Sequence, residues 1–599
     1  MSQERGNLPH WDLSVVYPGL ESAEFKTGFQ EAIRAIDDLV ALFDERQINR
    51  MEPGPLTKEI VTVFEEVIGR FNEVMDTIST LEAYLHGFIA TDSRDSRAQA
   101  LFSELQQRLA KLSLLATRLT AWLGSMDAEA LIRRSPVAQA HAYAARRAKK
   151  EAQHQMSPAE ESLAAELNLT GSSSWAHMFS NFVSQLTVEL ELDGELKQLP
   201  LAAAQNLNFN PDRDVRRAAY EGIQETLKGA AVPMAAALNS IKGETLTLTR
   251  RRGWASPLDM VLFESAIDQP ILDAMMTATR EAFPDFQRYL KARARALGLP
   301  ILAWYDRLVP LGEGGKAWSF DEARQFIVEQ FATYSDKLRD LALCAFDERW
   351  IDAEPRGGKR GGAFCMWLRQ GESRILSNYE PSFTAVGTLA HELGHAYHNL
   401  NLAERTPIQR SLPMTLAETA STFCQKIVEN AALKSADPQD QLVILDGLLE
   451  YAARVVLGAS SDFIFEESLF QRRQQRNLSP DEFCELALDA QRATLGDAID
   501  PDVLFPYRWV YVPHYYMASY YNFPYTFGLL FGLGLYARYQ ADADSFKAGY
   551  DTLLSATGMG EAAELAAAFG IDLRDGAFWR ASLDVLRADI NRFEQLVGA

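Results

Sequence analysis

The sequence has little cysteine and no long apolar run, and both shortages limit what the chain can be. Its 4 cysteines among 599 residues are widely spaced, and no two of them form a CxxC pair. This spacing argues against a disulfide framework and against a cysteine zinc site, so we interpret the cysteines as small buried residues. The apolar stretch TFGLLFGLGLYA near the end is too short to cross a bilayer.

Positive charge is also scarce. The chain has 59 basic and 81 acidic side chains and a net charge of −22. We therefore expect a soluble protein that phosphate backbones repel, with no nucleic acid among its partners. The start, MSQERGNLPHWDLS, has no basic segment followed by an apolar one, so we expect neither a signal peptide nor a membrane partner. These features predict a cytoplasmic protein.

What the sequence does contain is mostly helical pattern. Apolar residues recur with a period near 3.6 over residues 25–43, 55–88 and 96–123, which predicts a mainly α fold. The length predicts two or more domains. We expect an N-terminal helical domain of residues 1–185 and a catalytic domain of residues 186–599.

Two segments depart from the helical pattern. In residues 186–201, alternating runs flank Asp193-Gly194, which predicts a β-hairpin. In residues 357–383, a glycine-rich loop leads into two predicted strands at 363–368 and 374–379. Because this segment ends just before the sequence HELGH, we expect a small sheet beside that motif.

The motif HELGH carries the first indication of chemistry. It lies in VGTLAHELGHAYHNL, which predicts a helix with His391 and His395 on one face, where both imidazoles can bind one metal ion. Glu392 can reach a water on that metal without being a ligand. With 9 histidines and 81 acids in the chain, the loose pattern is expected by chance about 0.02 times. We therefore predict a zinc site with Glu392 as the base.

A catalytic zinc takes three protein ligands, so a third must come from elsewhere in the chain. Pro407 and Pro413 let the chain reverse, and MTLAETASTFCQ is predicted to begin a new helix whose first acid is Glu418. A solvent-exposed acid is the alternative, but the apolar neighbours of Glu418 make an unpaired charge costly and favour a ligand. His398 can orient a ligand or be a core histidine, and the sequence leaves both open.

The segment YRWVYVPHYYMASYYNFPYTFG, residues 507–528, is rich in tyrosine and contains His514. Tyrosine hydroxyls and an imidazole N–H are suitable donors to an oxyanion. Tyrosine clusters also serve packing, so composition leaves this assignment open.

The ordered set of motifs resembles one known family, the oligoendopeptidase F branch of the thimet-oligopeptidase-like zinc metallopeptidases. The motifs that carry the resemblance span nearly the whole chain: WDLSVVYPG, GGKRGGAF, RILSNY, TLAHELGHAYH, PMTLAETAS and PHYY…YYNFPYTFG. The resemblance implies a large helical fold with a deep central channel that admits short peptides. It implies one Zn²⁺ per chain on His391, His395 and Glu418, and substrate or transition-state contacts from the residues His514, Tyr521 and Tyr525.

We therefore expect a zinc metalloendopeptidase that cuts internal bonds of short oligopeptides. The strand at 374–379 is predicted to pair with the substrate backbone. The alternatives are a zinc exopeptidase, either an aminopeptidase or a dipeptidyl carboxypeptidase, a non-catalytic peptide-binding scaffold, and a structural zinc protein. The intact Glu392 argues against a scaffold. The sequence does not predict the oligomeric state.

Overall fold

The structure is a computed structural model that describes residues 8–52, 54–192, 194–311 and 316–598, and it is predominantly helical. The chain divides into two compact units, each built from three chain segments. The first unit comprises Met1–Gln155, Lys316–Ala431 and Tyr539–Phe569, and the second comprises Met156–Gly315, Ala432–Arg538 and Gly570–Ala599. No helix among the described residues is long and apolar enough to span a membrane.

The first unit is formed mainly by helices whose apolar faces share one core. Side-chain oxygens of Ser22, Thr57 and Asp95 cap its first three helices. These caps satisfy backbone N–H groups that have no partner inside the helix. Its helices are Ala23–Glu45, Lys58–Thr91, Ser96–Gly124, Ala128–Arg134, Pro136–Ala140, Ala142–Glu151, Phe320–Tyr334, Asp336–Asp347, Phe383–Asn401, Met414–Ala417, Ser421–Ser435, Ala543–Ala556 and Ala562–Ala568.

The second unit has its own core, which gathers buried residues of the long helix Arg213–Arg251 and of the aromatic segment 505–516. Its other helices are Pro158–Thr170, Ser172–Ser184, Leu201–Asn206, Pro257–Glu264, Gln269–Glu281, Phe283–Ala296, Pro438–Ala453, Ser460–Arg473, Pro480–Leu495, His514–Met517, Phe523–Ala541 and Gly576–Gly598. A π-helical segment, Arg454–Ala459, directly precedes Ser460–Arg473.

The strands form two small sheets in the described part of the chain. In the second unit, β1 (Thr187–Leu192) and β2 (Glu195–Pro200) form an antiparallel hairpin. This confirms the predicted hairpin, although Asp193 lies outside the described residues. In the first unit, β3 (Ile351–Asp352), β4 (Phe364–Arg369) and β5 (Glu372–Leu376) form a sheet in the order β3-β5-β4.

This strand order corrects the predicted peptide-binding strand. The strand we expected at 374–379 corresponds to β5, which is the central strand and is paired on both sides. The N–H groups of Ile375 and Ser377 bond to Trp350 and Asp352, on the β3 side. Since backbone groups alternate along a strand, the residues between them face β4. A peptide can therefore add only at an edge, and β4 provides one.

The helix that carries HELGH, Phe383–Asn401, is called the motif helix below, and it confirms the predicted helix. The prediction for Glu418 was wrong in one respect. The segment forms not one helix but two, Met414–Ala417 and Ser421–Ser435, and Glu418 lies in the turn between them. The division into residues 1–185 and 186–599 groups the chain differently from the compact units and stays a prediction.

Candidate metal centre

The motif helix presents two imidazoles to one carboxylate. The Oγ of Ser382 caps this helix by accepting the Ala385 N–H. His391 and His395 lie one turn apart, and their Nε2 atoms are 3.2 Å and 3.5 Å from Oε2 of Glu418. One ligand atom from each of these three residues lies within 4.8 Å of the others. The three predicted ligands are thus brought together within the first unit.

Gly394, inside HELGH, allows this close approach. A Cβ on Gly394 would lie 2.6 Å from Cα of Ser421 and 2.8 Å from the carbonyl oxygen of Ala420. Real Cβ atoms are not found at such distances from backbone atoms. The motif helix and the turn that carries Glu418 can therefore pack this closely only because the residue is glycine.

Hydrogen bonds from neighbouring residues orient the three groups. His391 uses Nδ1 to contact Oε1 of Gln425 at 2.9 Å, and Gln425 donates to Glu429 at 2.6 Å. This contact leaves Nε2 of His391 directed at Glu418. The Oγ of Ser421 donates to Oε2 of Glu418 at 2.5 Å. Partners of this kind fix ring orientation and tautomer in metal sites.

Burial and the charge of Glu418 act in opposite directions on the pKa values of the two imidazoles. Burial opposes protonation of His391, but its hydrogen bond to Glu418 and the charge of that carboxylate raise the pKa of His391 to about 9. Although burial opposes ionisation of Glu418, the two histidines hold its pKa well below the usual range. Burial lowers the pKa of His395 to about 4, so this ring is neutral, as a metal ligand must be.

Glu392 lies beside the triad and is 5% exposed. Burial raises its pKa to about 7, while the backbone N–H of Cys365 in β4 acts in the opposite direction by bonding the carboxylate. Its Oε2 is buried and has no hydrogen-bond partner among the described residues. A carboxylate in this state can accept a proton near neutral pH.

His398 is buried and does not belong to the triad. Its Nε2 lies 2.8 Å from Oγ1 of Thr557, and burial lowers its pKa to about 4. It also bonds the backbone of Ala417, the residue before Glu418. His398 thus stabilises the turn that carries Glu418 by bonding its backbone.

The aromatic candidates form a separate cluster within the second unit. The ring centroid of His514 lies 5.0 Å from that of Tyr521 and 5.8 Å from that of Tyr525. His514 and Tyr521 are half-buried and Tyr525 is 37% exposed. By contrast, Tyr515, Tyr516 and Tyr520 are buried, so these tyrosines of the segment serve packing.

Comparison with known proteins decides the family. The model of peptidase family M3 matches residues 206–585, more than half of the chain, and the model described as Oligopeptidase F matches residues 123–187. The chain belongs to peptidase family M3. It is a metallopeptidase, and its substrates are peptides. Every candidate residue above lies within the range that the M3 model matches.

Relatives and solved structures extend the likeness of this M3 peptidase over nearly its whole length. An oligoendopeptidase F homolog of Borreliella burgdorferi is 22% identical over 98% of both chains. Oligopeptidase PepF of Bacillus subtilis is 22% identical over 86% of this chain and 77% of its own. The crystal structure of oligoendopeptidase-F from Enterococcus faecium has a TM-score of 0.71 at 18% identity and covers 96% of this chain and 99% of that one. These structural neighbours establish the mainly helical fold.

Sequence reasoning missed the supporting residues Ser421 and Gln425. Both lie within seven residues of Glu418, in the segment STFCQKIVENAA. Since half of the residues in that segment are polar, no local signal distinguishes these two from the others.

Proposed function

We propose that the chain is a zinc metalloendopeptidase that hydrolyses internal bonds of short peptides, with one Zn²⁺ held by His391, His395 and Glu418. The observation that carries the proposal is the convergence of two imidazole nitrogens and one carboxylate oxygen beside Glu392, whose buried Oε2 has no hydrogen-bond partner among the described residues. Two histidines and a glutamate are a donor set that catalytic zinc takes while keeping one position open. The residues therefore fit the metal.

When bound, zinc supplies a Lewis acid that polarises the scissile carbonyl and acidifies a water molecule. Glu392 removes the proton from the attacking water and later delivers it to the leaving amine. Its raised pKa suits both transfers, because a group that titrates near 7 can give up the proton that it has accepted. Gln425 and Ser421 keep His391 and Glu418 in the orientation that ligation needs.

We assign His514, Tyr521 and Tyr525 to substrate binding and to hydrogen bonding of the developing oxyanion. Two considerations support this assignment. These residues match the late histidine and tyrosines of the family that the chain resembles, and their rings lie together in one cluster that solvent reaches.

The edge of β4 is our proposed site for the substrate backbone. Because the N–H of Ile375 bonds towards β3, its register partner Cys365 and the next alternate residue, Trp367, direct their backbone groups to the outer edge of β4. The N–H of Cys365 bonds the carboxylate of Glu392, which leaves the carbonyl of Cys365 and the backbone groups of Trp367 for a peptide. No further strand pairs with that outer edge in the described ranges. Pairing with the substrate backbone depends on few of the substrate's side chains, so we expect the enzyme to accept peptides of many sequences.

The decisive experiment substitutes Glu392. Glu392→Gln keeps the size of the side chain but removes the base, so we expect hydrolysis of an internally quenched peptide to fall by about 10²-fold or more. Zinc content, measured by atomic emission, is expected to stay near that of the wild type. Turnover that survives the substitution would overturn the assignment of the base.

Blocking both ends of the peptide separates the proposal from the exopeptidases. An aminopeptidase needs a free amino end and a dipeptidyl carboxypeptidase needs a free carboxyl end, whereas an endopeptidase needs neither. We expect the wild type to cut the doubly blocked peptide, and failure to do so while cutting the free peptide would favour an exopeptidase.

A further inference from the structure

One helix of the second unit carries two acidic side chains that both contact the aromatic segment around His514. Asp462 and Glu466 lie four residues apart on the helix Ser460–Arg473 and so project from the same face. Like charges at this spacing repel. Each has its own cation, since Asp462 pairs with Arg508 and Glu466 pairs with Lys242.

Asp462 holds the chain before and just after His514. Arg508 donates to both oxygens of Asp462, at 2.6 Å and 3.0 Å, and the hydroxyl of Tyr515 donates to Oδ1 at 2.7 Å. Arg508 also donates to the hydroxyl of Tyr515 at 3.1 Å. The residues on either side of His514 are therefore tied to one carboxylate.

Glu466 holds the chain on both sides of Tyr521. Its Oε2 accepts the backbone N–H of Tyr520 at 2.9 Å and the side-chain N–H of Asn522 at 2.8 Å. Tyr520 has φ of 53°, a left-handed conformation that is uncommon for a non-glycine residue. A bent backbone of this kind persists where surrounding contacts hold it, and the bond to Glu466 is such a contact.

The ion pair of Glu466 is fully buried. Lys242 is 0% exposed, and its Nζ lies 2.7 Å from Oε1 of Glu466. The same ammonium donates to the carbonyl of Ala518 at 3.2 Å and lies 3.4 Å from Oγ of Ser519. Among the described residues, the side-chain hydrogen bonds of this pair to other groups thus go to the loop 518–522, which precedes the helix of Tyr525.

We infer that Asp462 and Glu466, with Lys242, are positioning residues. Asp462 sets the placement of His514, and Glu466 sets that of Tyr521, through hydrogen bonds to residues before and after each of these two side chains. The inference rests on the proposed function of those two side chains. A buried ion pair adds little net stability, because both charges lose their hydration. It still restricts the geometry, because a movement that separates the two charges leaves each of them buried and unpaired.

The test removes the hydrogen bonds of Lys242 and Glu466 to residues 518–522 without leaving either charge buried and unpaired. Lys242→Met/Glu466→Leu deletes both charges and the acceptor for the loop, whereas Lys242→Met/Glu466→Gln deletes both charges but keeps an amide oxygen as acceptor. Arg216→Met/Asp306→Leu is the matched control, because this pair is buried in the same unit and Arg216 lies on the same long helix as Lys242.

We expect Lys242→Met/Glu466→Leu to lower kcat about 100-fold, the size of effect that a misplacement of 1 Å can produce, with KM changed less than about threefold. Zinc content stays unchanged, and the Gln variant recovers part of the loss. Adding Tyr521→Phe to the Leu variant is expected to lower kcat no further, because both changes remove the contact of the Tyr521 hydroxyl with the substrate. Full additivity of the two losses, or a kcat equal to that of the control pair, would overturn the inference.

Hydrogen–deuterium exchange provides a readout that does not depend on catalysis. Peptides covering residues 514–525 are expected to exchange faster in the Leu variant than in the wild type or in the control pair. Unchanged exchange in this segment would overturn the inference even if activity fell. If the wild type cut no peptide, or Tyr521→Phe alone left kcat intact, the proposed function would fail, and the exchange comparison would still decide whether Glu466 orders the loop.

Discussion

At the scale of single residues, side chains outside the triad of His391, His395 and Glu418 orient its members. Gln425 orients His391 through a hydrogen bond to Nδ1, and its own side-chain N–H donates to Glu429. Such contacts select the tautomer that leaves Nε2 available. The chemistry of the centre is therefore distributed over more residues than the motif HELGH contains.

Replacing Gln425 tests this dependence. Gln425→Leu is expected to raise the dissociation constant for zinc about 10- to 100-fold, since His391 loses the partner that orients its ring. Competition with a fluorescent chelator measures the constant. Gln409→Leu is the control, because Gln409 is a buried glutamine of the same unit that donates instead to the carbonyl of Ala140. Equal zinc affinity in the two variants would contradict the role of Gln425.

At the scale of elements, the crossing of the motif helix and the turn of Glu418 requires a glycine. Gly394→Ala is expected to cost about 1–3 kcal/mol of stability through overpacking and to weaken zinc binding by displacing Glu418. Gly387→Ala lies on the same helix, where a Cβ would meet only Nε2 of Gln425, at 3.9 Å. Thermal melts and zinc titrations of both variants measure the difference, and equal behaviour would contradict the close-packing argument.

The outer edge of β4, which pairs with no further described strand, can be tested by changing the substrate rather than the enzyme. Methylating one backbone nitrogen of a peptide removes a donor and adds bulk at the edge, as proline does in a strand. We expect one or two methylated positions near the scissile bond to raise KM about tenfold, which is about 1.4 kcal/mol of lost binding. Methylation at positions far from that bond is the control. A uniform response along the peptide would count against pairing with β4.

The same elements show what a sequence can and cannot predict. Local periodicity sufficed for the motif helix, for the hairpin of β1 and β2 and for the existence of β4 and β5. It did not predict that β5 is central, because the pairing with β3 brings in Ile351, which is distant along the chain. It also placed Glu418 inside a helix, since nothing local marks the turn after Ala417. Pairing and turns of this kind are set by tertiary packing.

The sequence also did not predict the contacts of Glu466 and Lys242 with residues 518–522. Glu466 and Lys242 are separated by more than two hundred residues, and each taken alone reads as an ordinary charge on a helix surface. Only folding shows that both are buried and paired. By contrast, the sequence predicted that His391, His395 and Glu418 lie together, as the structure places them, because a metal site demands particular residue types at particular spacings. Their role as ligands, and that of Glu392 as the base, stay predictions.

At the scale of the whole molecule, metal binding is expected to stabilise the chain. A ligand that binds only the folded state adds about 4 kcal/mol when it is present at a thousand times its dissociation constant. The melting temperature should therefore rise with zinc concentration after treatment with a chelator. Glu418→Ala is expected to lose most of this rise, while Glu404→Ala, an acid elsewhere in the first unit, keeps it. A zinc-dependent rise that persists in Glu418→Ala would remove Glu418 from the ligand set.

The discontinuous make-up of the first unit has a consequence for biosynthesis. The motif helix and the turn of Glu418 contact residues that come much later in the chain. On the helix, Tyr397 bonds Asp551 and His398 bonds Thr557, and in the turn the carbonyl of Thr419 accepts the hydroxyl of Tyr550. During translation, these partners emerge from the ribosome more than a hundred residues after HELGH. The surroundings of the candidate metal ligands are thus completed only after residues 550–557 have been synthesised, and a nascent chain that lacks them also lacks these contacts.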